Sequence, residues 1–338
     1  MHTKQSRASL ITRRVLLGLL LAAIFWAIAW LDWELIGEAV AAVSLPGIAA
    51  MAVAWIAAIF TRPFRLKIIV HAIAPEITGR YWPTWSASII AMATNSVVPM
   101  RAGDVTMAFL LHENLGIGMA RAFSVILIDR FFDLMTVIVI FVAALSVAPT
   151  VAPWASNLTV ALLSALVGLT TALWFTVRMR RIWILVFHRL LSPRLLKRSE
   201  RWRAWVNDLV SGLAFINKPA VVCPVLLLSI GFWGAIVTST WFGVNAVWPL
   251  VPFAGAAFAT AVVALCFIVP VAPGGLGVFH AAVVLALSVF SVPTEPALAF
   301  ALIAHAFQLT SVMVLAAIVL LCQRKSLRSL MAIRETSP

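Results

Sequence analysis

The sequence predicts an all-α, polytopic helical membrane protein, on three observations: scarce charge, recurring long apolar runs, and basic residues gathered at the ends of those runs. Apolar residues fill 63% of 338 positions, charged residues only 11%, and the mean hydropathy is +1.05. A soluble domain carries about 25% charge to cover its outside. The apolar runs approach the roughly 20 residues that cross about 30 Å of hydrocarbon. Only helices and closed barrels satisfy the backbone in lipid, and these runs are too uniformly apolar for alternating barrel strands. The net charge of +13 does not indicate nucleic acid. The basic residues flank apolar runs, where they meet lipid phosphates and fix orientation, and no soluble basic domain is present to carry such binding.

Full spans are predicted near 15–31, 47–70, 118–148, 157–177, 219–247 and 297–321. The first follows Lys4, Arg7, Arg13 and Arg14, and Ala27-Ile28-Ala29 resembles a signal-cleavage site. Bulky Trp26 and Trp30 crowd that site, so a retained helix is expected. Residues 84–98 are apolar for about 22 Å of helix and lead into Asn95-Ser96-Val97-Val98-Pro99-Met100-Arg101-Ala102-Gly103-Asp104. The stretch 104–112 is too short to return across a membrane. A re-entrant hairpin from the cytoplasmic side follows, with Pro99 to Asp104 near mid-bilayer, where irregular backbone must be buried or line a cavity. The segment 253–291 is broken at Pro270-Val271-Ala272-Pro273-Gly274-Gly275-Leu276-Gly277, which interrupts any helix. Its arms are long enough that each could cross a thin membrane, but the break carries no Lys or Arg. A second hairpin from the opposite side is therefore expected. Two broken elements, one in each half, point to an inverted-repeat transporter with a central site.

Orientation follows from the 25 Lys and Arg residues. None lies in 32–46, 149–156, 248–252 or 292–296, whereas nine lie between Arg178 and Arg203, and the tail adds Arg324, Lys325 and Arg328. This bias places both termini and the 178–218 loop in the cytoplasm of a bacterial-type inner membrane. The chain is expected to be a single membrane domain over 1–338: a first half (1–177), the basic loop (178–218), a second half (219–322) and a tail (323–338). Within the loop, Trp202, Trp205, Val206, Leu209 and Leu213 recur at helical spacing over 195–217, as in an interfacial helix on anionic lipid. The 14 tryptophans against one tyrosine fit interfacial anchoring. Cys223, Cys266 and Cys322 are far apart in apolar contexts and read as packing residues, with neither disulfide nor metal site.

Intramembrane charge is densest at Arg101, Asp104, Arg121, Asp129, Arg130 and Asp133. Such residues are costly in lipid and either pair or line a polar cavity. Asp129 and Asp133 share a helical face and repel unless a cation stands between them, a place the sequence offers to Arg101. A structural ion-pair network is the alternative for the two aspartates. For Arg101 and Arg130, a guanidinium fork suits a phosphate. Arg121 reads as a headgroup anchor, and Arg62, Arg65 and Lys67 as interfacial closers of the second span. Asn95 is either a cap or a ligand donor. In the second half, His280 follows the glycine break, and His305 and Gln308 share a face of the last span. The amides around Gly274 and Gly275 could bind an anion, although close packing is the commoner use of such glycines. No Gly-Lys-Ser/Thr follows, so this is not a nucleotide-hydrolase phosphate loop.

With these residues placed, the chain resembles the transmembrane region of lysylphosphatidylglycerol synthases and the stand-alone flippase-like proteins related to it. The resemblance rests on Asn95, Val98, Pro99, Arg101, Ala102, Gly103 and Asp104, then Asp129, Arg130 and Asp133, then Pro273-Gly274-Gly275-Leu276-Gly277-Val278, in that order. Arg62 and Arg65 match the basic close of the second span. The family often has Glu where Asp104, Asp129 and His280 stand here. The resemblance implies lipid translocation between leaflets by a domain often fused to a lipid-modifying enzyme. Because the chain ends soon after the last span, the stand-alone form is expected.

The expected activity is movement of a phospholipid or other polar-headed lipid. Arg101 and Arg130 would take the phosphate, Asp129 and Asp133 would set their position, and the lipid tails would stay in the bilayer. The expected partners are membrane lipids with an anionic headgroup, together with either a second copy of the chain or a lipid-synthesis enzyme. Neither cofactor nor metal is expected. The competing readings are a membrane-embedded enzyme using Asp129 and Asp133 as acid and base, and a non-catalytic subunit of a lipid or glycan synthase.

Overall fold

The structure is a computed structural model describing residues 37–38, 41, 43–77, 81–98, 100–148, 153–178, 219–268 and 273–322. The predicted first span, the basic loop beyond Arg178 with its interfacial helix, Pro99, Pro270 and the C-terminal tail lie outside the described residues. The rest is helical: α1 (Leu45–Ile73), α2 (Tyr81–Val97), α3 (Ala102–Leu115), α4 (Met119–Leu145), α5 (Pro153–Arg178), α6 (Pro219–Val247), α7 (Phe253–Cys266), α8 (Val278–Ser288) and α9 (Thr294–Cys322), with one 3₁₀ turn at Pro273–Gly275. By length and composition α1, α6 and α9 are able to cross a membrane. Helix α4 is nearly as long, and it carries Arg121, Asp129, Arg130 and Asp133.

Local chemistry sets the boundaries. Ser44 caps α1, with Pro46 in its first turn. Gly116, at φ +69°, closes α3 by giving its N–H to the His112 carbonyl at 2.8 Å, the left-handed stop that glycine allows. Helix α4 begins at once with Met119, so the chain reverses direction there. At this turn Arg121 pairs with Glu76 at 2.5 Å. A hydrogen bond from the Glu76 backbone amide and the nearby Arg121 guanidinium hold the Glu76 carboxyl below its usual range.

Helices α1 and α6 make the most extensive contact in the fold, and they run antiparallel. The Ser44 amide donates to the Ala246 carbonyl at 2.9 Å, the Ser239 hydroxyl to the Met51 carbonyl at 2.8 Å, and Arg65 Nη1 to the Ser229 hydroxyl at 2.9 Å. Each of these helices is followed by two short helices and then a long one. The contacts match across the two units: α2–α3 with α7–α8, α3–α4 with α8–α9, and α4–α7 with α9–α2. Because α1 and α6 are antiparallel, hairpin α2–α3 enters from the face opposite to hairpin α7–α8. This is an inverted repeat, as the sequence predicted.

The hairpin arms are short. Helices α2 and α3 have 17 and 14 residues, about 25 and 21 Å. Helices α7 and α8 have 14 and 11, about 21 and 17 Å. None spans about 30 Å of hydrocarbon. The sequence left open a full crossing of a thin membrane by each arm of the second segment, and the described helices α7 and α8 are shorter than a full bilayer core requires.

Two apolar cores pack the fold, one around each hairpin. The first joins Leu66, Trp85, Leu110, Ile128 and Val319, and the second joins Met51, Phe141, Phe258, Leu287 and Phe300. Helix α5 packs on α4 and leaves most of its described side chains exposed. Cys223 and Cys322 are exposed and Cys266 half-buried, so the first two are not the packing residues expected.

Candidate functional site

Between the cores, seven charged residues of the first half form one connected network. The cation between the two carboxylates of α4 is Arg65. Its Nη2 lies 2.5 Å from Asp129 Oδ1 and 2.8 Å from Asp133 Oδ1. Arg62 Nη2 donates to the other Asp129 oxygen at 2.7 Å. Arg130 Nη1 continues to Asp133 Oδ2 at 3.1 Å, its Nη2 reaches Asp104 at 2.8 Å, and Asp104 holds Arg101 Nε at 3.2 Å. Opposite charges alternate along this path, which is how a low-dielectric interior tolerates them.

Two expectations are corrected here. Arg62 and Arg65 are not interfacial: Arg65 is fully buried and Arg62 only 7% exposed. The predicted span stopped at residue 70, but α1 runs on to Ile73, leaving Arg65 about 12 Å inside its end. One turn separates the two arginines, so both reach the α4 carboxylates. Arg101, in turn, does not bridge Asp129 and Asp133. Asp104, three residues on, holds it at the hairpin tip.

The network runs from closed to open. Side-chain exposure is 0% for Arg65 and Asp129, 28% for Arg130 and 34% for Arg101. The open end faces a cavity of about 500 Å³ between the two breaks, lined by Arg62, Ser96, Arg101, Arg130, Asp133 and Gly274 among others. Asp104 on the first hairpin pairs with Arg130, near the middle of α4, so this tip lies deep in the bundle.

The first break turns sharply. Met100 and Arg101 have φ of 65° and 55°, a left-handed conformation that non-glycine residues avoid at about 1–2 kcal/mol each. Asn95 supports this turn by accepting from the Gly103 amide at 2.7 Å, and it also lines the cavity. A side chain on Gly103 would collide with the Ala91 carbonyl, so glycine lets the hairpin arms close.

The second break meets the first through backbone. A Cβ on Gly274, whose φ is +61°, would stand 3.0 Å from the Ser96 carbonyl. Gly274 and Gly275 both line the cavity. The Gly274 carbonyl bonds His305 Nε2 at 2.9 Å, so α9 anchors the break. His280 is absent from the cavity wall, contrary to expectation. Its ring faces His305, centroids 5.0 Å apart, because α8 turns that face towards α9. Helices α3 and α8 both begin at the breaks, which sets two positive dipole ends near the cavity.

Residues missed by the sequence reading complete the site. Ser229 holds Arg65, and Trp233 Nε1 donates to Asp133 Oδ1 at 3.1 Å. Both sit on α6, one turn apart, in a run with no charge to single them out. The Phe232 ring lies 5.9 and 5.7 Å from the Arg62 and Arg65 guanidinium carbons, within cation–π range.

Residues 15–316 match the family model described as Lysylphosphatidylglycerol synthase TM region. No curated protein and no solved structure matches the chain.

Proposed function

We infer that this protein, which belongs to the Lysylphosphatidylglycerol synthase TM region family, moves a phospholipid or another polar-headed lipid across the bacterial inner membrane, its headgroup passing between the two breaks. The observation behind this reading is a surplus of positive charge. Arg62, Arg65, Arg101 and Arg130 face Asp104, Asp129 and Asp133, and four minus three leaves a net charge of +1. One phosphodiester supplies the balancing charge. Donors for it exist: Arg101 engages only its Nε and Arg62 only its Nη2, leaving Arg101 Nη1 and Nη2 and Arg62 Nη1 without hydrogen bonds among the described residues. A guanidinium with free Nη groups at a cavity wall is suited to bidentate phosphate binding. The distribution of Lys and Arg supports a cytoplasmic position for both termini.

The enzyme reading asks Asp129 and Asp133 to exchange protons with a substrate. Asp129 is fully buried, both its oxygens accept from arginines, and it is absent from the cavity wall. A carrier fits this geometry better.

Headgroup translocation in proteoliposomes tests the proposal, using a labelled phospholipid whose exposed fraction is quenched from outside. Arg101→Ala is expected to slow movement by about tenfold or more, the scale of a lost charged hydrogen bond, with an unchanged melting midpoint in detergent. An unaltered rate in folded R101A protein would refute the assignment.

A further inference from the structure

A second cavity, of about 250 Å³, lies against the first. The two share Arg62, Arg130, Asp133, Trp233, Ala264 and Phe267. The second is lined mostly by apolar side chains of six helices, such as Ile59, Met92, Ile236, Val263, Val283 and Phe300. Its polar groups largely satisfy one another. The Thr260 hydroxyl donates to Thr240 at 2.9 Å, and Trp55 Nε1 donates to Ser311 at 2.9 Å. Away from the shared Arg62 and Arg130, the Gln308 side-chain amide is the lining group with no partner among the described residues. Beyond the edge formed by Arg62, Arg130 and Asp133, which it shares with its neighbour, the wall presented to a ligand is therefore hydrocarbon with a single amide.

We propose that this cavity takes the proximal part of one hydrocarbon chain of the lipid whose phosphate sits on Arg62, Arg101 and Arg130. The protein would then bind an amphiphile at the junction of its two chemistries, with one chain drawn inward and not left wholly in the bilayer. The size agrees: an apolar cavity of about 150 Å³ holds a benzene ring, so one of about 250 Å³ accommodates roughly ten carbons. Location agrees as well, because the shared wall puts the hydrocarbon surface next to the anion donors. The inference rests on the lipid reading above and adds that affinity depends on a chain inside the bundle.

Two measurements decide it. Wild-type protein in nanodiscs is irradiated with phosphatidylglycerol carrying a diazirine in the upper half of one acyl chain. Adducts on Ile236, Val263 or Val283 are expected. Adducts confined to side chains on the outer surface of α6, such as Leu227 and Ile230, which are 69% and 61% exposed, would overturn the proposal. Binding of phosphatidylglycerol and of water-soluble glycerophosphoglycerol is then compared in wild type and Val263→Phe, which narrows the slot. The lipid is expected to bind about tenfold more weakly to V263F, the equivalent of roughly two buried methylenes, and the soluble headgroup equally to both. Equal lipid binding to both proteins removes the chain slot and leaves the headgroup site standing. Failure of glycerophosphoglycerol and lipid to bind either protein removes the lipid reading itself. If V263F does not fold, the cross-linking result on the wild type decides alone.

Discussion

The first break turns at Met100 and Arg101 and delivers Asp104 to Arg130, whereas the second, in the equivalent place of the other half, turns at Gly274 and Gly275 and offers backbone. The fold is repeated, but the charge is not. All seven charged residues of the network lie between Arg62 and Asp133, and among the described residues the second half adds no charge to it: Ser229 accepts from Arg65, Trp233 donates to Asp133, and the Phe232 ring faces Arg62 and Arg65. One wall of the cavity is thus a fixed electrostatic surface held together within its own half. The other is a close-fitting backbone surface. Sliding the second hairpin past the first breaks no ion pair, so the cost of moving is not the cost of separating buried charges.

The largest expected effect comes from breaking the charged side at its closed end. Asp129→Ala leaves the buried Arg62 without its hydrogen-bonded carboxylate and Arg65 with Asp133 alone, and removing one partner of a buried pair costs about 3–5 kcal/mol. A steep fall in the detergent melting midpoint and in the yield of folded protein is expected. The contrast with R101A should be clear, since Arg101 lies at the open end and its loss is expected to affect movement and not folding. If D129A melts like the wild type, the network is not what holds the first half together.

The same gradient explains what was legible in the sequence. Charge scarcity, run lengths and the placement of Lys and Arg identify the helical class, and the positions of the breaks identify both hairpins. Arg101, Asp104, Asp129, Arg130 and Asp133 stand out because charge is rare in apolar surroundings, and the structure brings them together. Their pairing was not legible. Asp129 and Asp133 call for a cation, but three elements carry one, and sequence distance does not show that α1 packs on α4. Arg62 and Arg65 were misplaced for a related reason: hydropathy weakens where arginines gather, so the span is read as ending there, although the helix runs on. Trp233 gave no signal, since tryptophan at a membrane level is ordinarily an anchor.

A smaller effect is expected from the backbone side. Gly274→Ala puts a Cβ 3.0 Å from the Ser96 carbonyl at a φ of +61°, and the left-handed conformation alone costs about 1–2 kcal/mol for a residue with a side chain. The tip can relieve this by moving off Ser96, because no ion pair ties it there. Translocation is expected to fall several-fold with little change in melting, the reverse of the D129A pattern. A G274A protein that unfolds as D129A does would mean that the second break is as fixed as the first.

The smallest effect is expected at His280, where the contrast between the two breaks is most exposed to failure. His305, not His280, bonds the Gly274 carbonyl, and the His280 ring packs beside Phe279 and His305 away from the cavity wall. If the second break works through backbone, His280→Gln should move lipid within about twofold of the wild-type rate throughout the range of about pH 5 to 8 in which histidine titrates. A pH dependence present in the wild type and abolished by H280Q would place a titrating charge behind the glycines. The second wall would then carry charge in one protonation state, and sliding past the first hairpin would no longer be free of an electrostatic cost.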